Sequence, residues 1–137
     1  MIAIDTNVLV RYAVRDDPEQ TALADELIDA FTTEEPGLVT LIVLVECWWV
    51  LGSSYSHPSD RRREFVEALL ATQEIRVERN DTVRAALRRT SDGGDLADAL
   101  IAQTAAEAGC TTVMTFDKGA ARSAGMQLLT HEAVAGL

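Results

Sequence analysis

Met1-Ile2-Ala3-Ile4-Asp5-Thr6-Asn7-Val8-Leu9-Val10-Arg11 opens the chain, and its spacing changes character at Asp5. Ile2, Ala3 and Ile4 form the short apolar run of a buried strand. Beyond Asp5, Val8, Leu9 and Tyr12 recur at helical spacing. The stretch predicts a strand, an acid at its carboxyl end, and a helix. The pattern returns downstream. Leu38-Val39 predicts a second strand, Glu74 to Glu78 a third with Ile75 and Val77 inward, Thr112 to Phe116 a fourth ending at Asp117, and Gln127 to Leu129 a fifth. Short strands alternating with helices make the class α/β with a mainly parallel sheet.

The helices between them carry readable punctuation. Asp17-Pro18-Glu19-Gln20 is a helix start, with Asp as cap and Pro in the first turn. Leu23, Leu27, Ile28 and Phe31 supply its apolar stripe. Thr40 caps the next helix and Gly52 is its natural terminator. That helix is apolar nearly all round, which predicts burial. Phe65, Val66, Leu69 and Leu70 mark a further helix with Arg61, Arg62 and Arg63 in its first turn. Val83, Ala86 and Leu87 mark another. Asp92-Gly93-Gly94 is a turn, and Leu96, Leu100, Ile101, Thr104 and Ala108 form a helix that Gly109 ends. No repeat, linker or low-complexity tract divides the chain, so residues 1–137 read as one domain.

The 137 residues hold 22 Asp and Glu against 12 Lys and Arg, a formal charge of −10. That balance argues against a general polyanion binder but not against a protein that uses carboxylates to hold cations. Cys47 and Cys110 stand in apolar stretches and read as buried thiols. The longest apolar run, Leu41 to Leu51, is too short to span a bilayer and contains Glu46. With no leader-like N-terminus, the chain is expected to be cytoplasmic, with no membrane association. No nucleotide-binding glycine loop and no serine nucleophile elbow is present.

Particular acids ask for an explanation. Glu46 lies in a helix with no polar face, and burying an unpaired carboxylate costs several kcal/mol, roughly, unless a proton, a cation or a metal compensates it. Asp5 and Asp117 each follow a strand's carboxyl end, where open parallel sheets bind ligands, although a helix cap accounts for either alone. Asp95 and Asp98 share a face at a helix start. Capping explains Asp95. Asp98 is harder to dismiss, because Ala102 and Ala105 beside it leave room for another element. Carboxylates gathered in one place repel, so some hold protons or a cation binds. All-oxygen ligands suit Mg²⁺ or Mn²⁺, and such ions with a bound water promote in-line attack on a phosphodiester.

These residues resemble a known pattern. Met1 to Arg11 looks like the opening of PIN-domain proteins, in particular VapC-type toxin ribonucleases. Val45-Glu46 with Trp49-Val50-Leu51, Asp95-Leu96-Ala97-Asp98-Ala99-Leu100-Ile101-Ala102, and Thr115-Phe116-Asp117-Lys118 resemble the family's later acidic elements, in order. The resemblance implies a single PIN-like domain, a three-layer α/β/α sandwich with a mainly parallel central sheet and an acidic Mg²⁺ site. It implies that Asp5, Glu46, Asp98 and Asp117 are catalytic and metal-binding, with Asp95 supporting the metal. Thr6, Asn7 and Thr115 would orient Asp5 and Asp117. It also implies hydrolysis of single-stranded RNA, a homodimer, and inhibition by a cognate antitoxin.

Arg11, Arg15 and Lys118 are the candidate RNA contacts, being nearest the acids in sequence. Arg61 to Arg63 read as a solvated face, His57 and His131 as surface residues, and at least one of Trp48 and Trp49 as core. Three other readings stay open. One is a non-catalytic interaction module on the same fold. Another is an aspartyl-phosphate phosphohydrolase with Asp5 as nucleophile, although Asn7 stands where that chemistry wants a second Asp. The third is a DNA nuclease.

Overall fold

The computed structural model describes residues 1–137. It is a mixed α/β chain whose strands all pair in parallel. Two compact units are distinguishable, Met1–Asn80 and Asp81–Leu137.

In the first unit, β1 (Ile2–Ala3), β2 (Gly37–Val39) and β3 (Ile75–Val77) form a sheet in the order β1-β2-β3. Helices α1 (Thr6–Val14), α2 (Pro18–Asp29), α3 (Leu41–Ser53) and α4 (Ser59–Ala71) flank it. Helix α1 packs on α2 and α3, while α4 packs on α3 and β3. The predicted caps are present. Asp17 accepts the Gln20 amide at 3.0 Å, and Thr40 accepts that of Val43 at 3.3 Å. Glu78, just past β3, accepts the Leu41 amide at 2.9 Å and satisfies another of α3's open donors.

The second unit holds α5 (Asn80–Arg89), which starts at the division, then α6 (Leu96–Glu107), β4 (Met114–Thr115), α7 (Lys118–Ser123), β5 (Gln127–Leu128) and α8 (His131–Ala135). β4 and β5 pair, Met114 opposite Gln127. Ala102 is buried with Ala120, Ala124 and Met126, so the small face of α6 does admit a neighbouring helix. The Thr82 hydroxyl donates to Glu107, fastening α5 to α6.

Several expectations change. Ile2 and Ala3 are exposed and only Ile4 of the first apolar run is buried, because β1 has a hydrogen-bonded neighbour on one side alone. Gly52 does not end α3, which runs on to Ser53. A Cβ at Gly52 would lie 2.7 Å from the Arg62 guanidinium, so the glycine makes room for that side chain. Arg62 is accordingly no solvated-face residue. It stacks 4.3 Å from the Trp48 ring centroid and donates to the Trp48 carbonyl at 3.1 Å. Cys47 is buried, and desolvation pushes its thiol up to about 12. Cys110 is exposed, in the turn beyond α6 and next to Gly109 with its φ of 88°. The terminal helix α8 spans only five residues, too few to show a period in sequence. His57 is half-buried and His131 exposed.

Gly37 sits in the central strand, where a Cβ would overlap the ring of buried Phe31. Gly37→Ala should cost about 1–3 kcal/mol by overpacking, read from urea denaturation. Phe31→Leu in the same chain should recover part of the loss.

Candidate active site

In the first unit, Asp5 caps α1, its Oδ1 accepting the Thr6 amide at 2.9 Å. The Thr6 hydroxyl donates to Glu46 Oε2 at 2.7 Å. Thr6 therefore touches both acids, one through its backbone and one through its side chain. The expected burial of Glu46 is not found. Glu46 is exposed, on one face of α3 with Ile42 (73% exposed) and Trp49 (67%). An apolar composition all round a helix does not bury it all round; here the stripe at positions 42, 46 and 49 is open. Trp48, on the opposite side, is core. Asn7 is exposed at the start of α1.

In the second unit, Asp95 caps α6 by accepting the Asp98 amide at 3.0 Å. Asp117 caps α7, one oxygen accepting the amides of Gly119 at 2.7 Å and Ala120 at 3.1 Å. The Asp117 amide donates to Thr115 Oγ1 at 3.0 Å. Asp98 is half-buried, and its carboxyl is pushed above the ordinary aspartate range, first by desolvation and then by the charges of Asp95 and Asp117. These three acids and Asp92 line one cavity of about 490 Å³, with Arg89, Arg122, Ser123 and three glycines among its other walls. A Cβ at Gly119 would come within 3.0 Å of Asp117 Oδ1, so glycine there keeps the carboxylate clear.

The candidate RNA contacts are differently placed. Arg11 pairs with Asp16 and donates to Gln20 Oε1 at 2.9 Å. Arg15 makes a two-pronged pair with Asp25, at 2.9 and 2.5 Å. Both guanidiniums are thus engaged within the chain: the hydrogen bonds to Asp16 and Asp25 make Arg11 and Arg15 hold their protons more tightly and bring the two carboxyls below the usual carboxylate range. Lys118 is exposed at the start of α7. Sequence reasoning missed Arg89, Arg122 and the capping role of Glu78. Arg122 was within reach, since it lies four residues beyond Lys118 and shares its helical face.

An α/β chain with aspartates capping helices past its strand ends, and with Asp95, Asp98 and Asp117 on one cavity, offers the kind of oxygen donors a hard cation takes. Residues 2–126 match the PIN domain family, and the chain belongs to it. No curated protein matches the chain. PIN domains are typically nucleases and generally use a divalent metal, so membership points to metal-dependent nuclease chemistry. The donor set fits: it is all oxygen, and its mutual repulsion is what a cation relieves. No group of three or more His, Cys, Asp or Glu is drawn together closely enough to hold a metal ion. No helix is long and apolar enough to cross a membrane.

The raised Asp98 carboxyl has a sign that can be measured. The folded chain binds this proton more tightly than the unfolded chain. Stability from this group therefore falls as pH climbs from the ordinary aspartate range through the raised value. Asp98→Asn should raise Tm at pH 7 in EDTA, and the gain should vanish below the ordinary aspartate range, where both states are protonated. A pH series of thermal melts checks both halves.

Proposed function

We propose that the chain is a Mg²⁺-dependent endoribonuclease that cleaves single-stranded RNA, and a VapC-type toxin inhibited by a cognate antitoxin. The observation that carries the reading is the gathering of Asp95, Asp98 and Asp117 on one cavity in a chain that matches the PIN family from residue 2 to residue 126. Because that match runs through both compact units, we take 1–137 as a single PIN-like domain.

In this reading Asp5, Glu46, Asp98 and Asp117 hold the ion, with Asp95 in support and Mn²⁺ an acceptable substitute. When bound, the ion supplies charge neutralisation and acidifies water for attack on phosphorus. The chain's own groups do the rest. Thr6 fixes Glu46 by its hydroxyl and Asp5 by its amide. Gly119 and Ala120 hold one oxygen of Asp117, leaving the other to face solvent or ligand. Asp98 or Asp117 orients the attacking water and takes its proton. The products carry 5′-phosphate and 3′-hydroxyl ends, and the RNA 2′-hydroxyl takes no part. The exposed Ile42 and Trp49 and the net negative surface suit protein partners, a second copy and a basic antitoxin segment.

Incubation of the protein with mixed single-stranded RNA and Mg²⁺ tests the reading. Cleavage should stop in EDTA and fall at least about 100-fold in Asp5→Ala and Glu46→Gln. Equal cleavage by these variants would sink it. Thr6→Val should raise the Mg²⁺ concentration giving half-maximal rate by about 10–100-fold, as loss of an orienting hydroxyl weakens metal affinity.

A further inference from the structure

We infer that Arg122, together with Arg89, holds a backbone phosphate of the single-stranded RNA in the cavity lined by Asp95, Asp98 and Asp117. The inference rests on the ribonuclease reading and deepens it by naming the residues that bind the strand.

An acid-lined cavity repels phosphate. An anionic strand enters only where fixed positive charge offsets the carboxylates. Arg89 and Arg122 are the two cations on the walls of this 490 Å³ cavity, a volume typical of small-ligand sites. Neither belongs to an ion pair, whereas Arg11, Arg15 and Arg63 are paired with Asp16, Asp25 and Glu67. Neither cavity guanidinium is therefore neutralised by a carboxylate of the chain. Arg89 is also aimed. Its Nε donates to Gln103 Oε1 at 2.9 Å, and Gln103 donates in turn to Glu107 at 3.2 Å. With Nε anchored, the two terminal nitrogens remain to present a fork, the geometry that suits a phosphate. Arg122 is exposed on α7, whose first turn is fixed by Asp117. Gly93 and Gly94 on the same wall add no side chain to block a strand.

Phosphate contacts of this kind position a strand without reading its bases. Their loss therefore weakens binding equally for different sequences and lowers the salt dependence. The test is fluorescence anisotropy with a short labelled single-stranded RNA in EDTA, where cleavage is off, over a KCl series. Cleavage kinetics in Mg²⁺ run alongside. Arg122→Ala should weaken binding by about tenfold and flatten the log K against log salt slope by about 0.7. Arg122→Lys should keep the slope. In cleavage, Arg122→Ala should raise KM with kcat unchanged. Arg89→Ala should do the same, and Arg76→Ala, an exposed arginine on β3, should do neither. Arg122→Gln replaces the alanine variant if the latter loses its cooperative melt.

Unchanged affinity and slope in both cavity variants, with a wild-type protein that binds and cleaves, overturns this inference and leaves the ribonuclease reading standing. A wild-type protein that neither binds nor cleaves RNA overturns both. Displacement of the RNA by inorganic phosphate at equal phosphate concentration marks a free-anion pocket and overturns the assignment to a strand.

Discussion

The hydrogen bond between an aspartate and the first free amides of a helix is the interaction on which the rest of this molecule turns. Parallel strands require a crossover, usually a helix, and a crossover helix begins just past a strand's carboxyl end. Its first amides need acceptors. Asp5 and Asp117 meet that need, and Asp95 does so for α6. A carboxylate in that position is doubly useful. Its orientation is fixed by a bond the fold requires anyway, and for Asp5 and Asp117 the bonds to the following amides fall on a single oxygen. The chemistry of the site thus grows out of the way the chain starts its helices.

Asp98 is the exception that gives the group its character. It caps nothing, lies half-buried, and is raised first by desolvation and then by the charges of its two neighbours. A folded protein tolerates such a group when something else gains from it. The distribution of arginine fits the same logic. With 22 acids and 12 basic residues, cations are scarce. Several are spent on ion pairs near α1, α2 and α4, while Arg89 and Arg122, in no ion pair, stand on the acid-lined cavity.

Local chemistry was legible in the sequence and exposure was not. The strand positions, the Asp17 and Thr40 caps and the turn at Gly93 follow from rules that act over a few residues. So do the helix starts at Asp5, Asp95 and Asp117. Glu46 and Cys110 were misread for one shared reason. Apolar neighbours in sequence imply burial only if some other segment covers that face, and coverage is a property of the packed chain. Gly52 failed in a related way: the terminator reading is local, but its missing Cβ answers to Arg62, ten residues on. Arg89 and Arg122 stand in no motif. Only the folding of α5 and α7 against α6 brings them to a cavity with the acids, so spacing along the chain reaches Arg122 through Lys118 but not its pairing with Arg89.

The adjacent tryptophans have an optical consequence. Trp48 is 3% exposed and lies under the Arg62 guanidinium, while Trp49 is 67% exposed and one helical turn from Glu46. They are the only indoles in the chain. Its intrinsic emission therefore divides into a shielded component from Trp48, which reports on the packing of α3 and α4, and a quencher-accessible component from Trp49, which watches the open face of α3. Acrylamide separates the two. One unlabelled protein thereby carries a fold reporter and a surface reporter on successive residues.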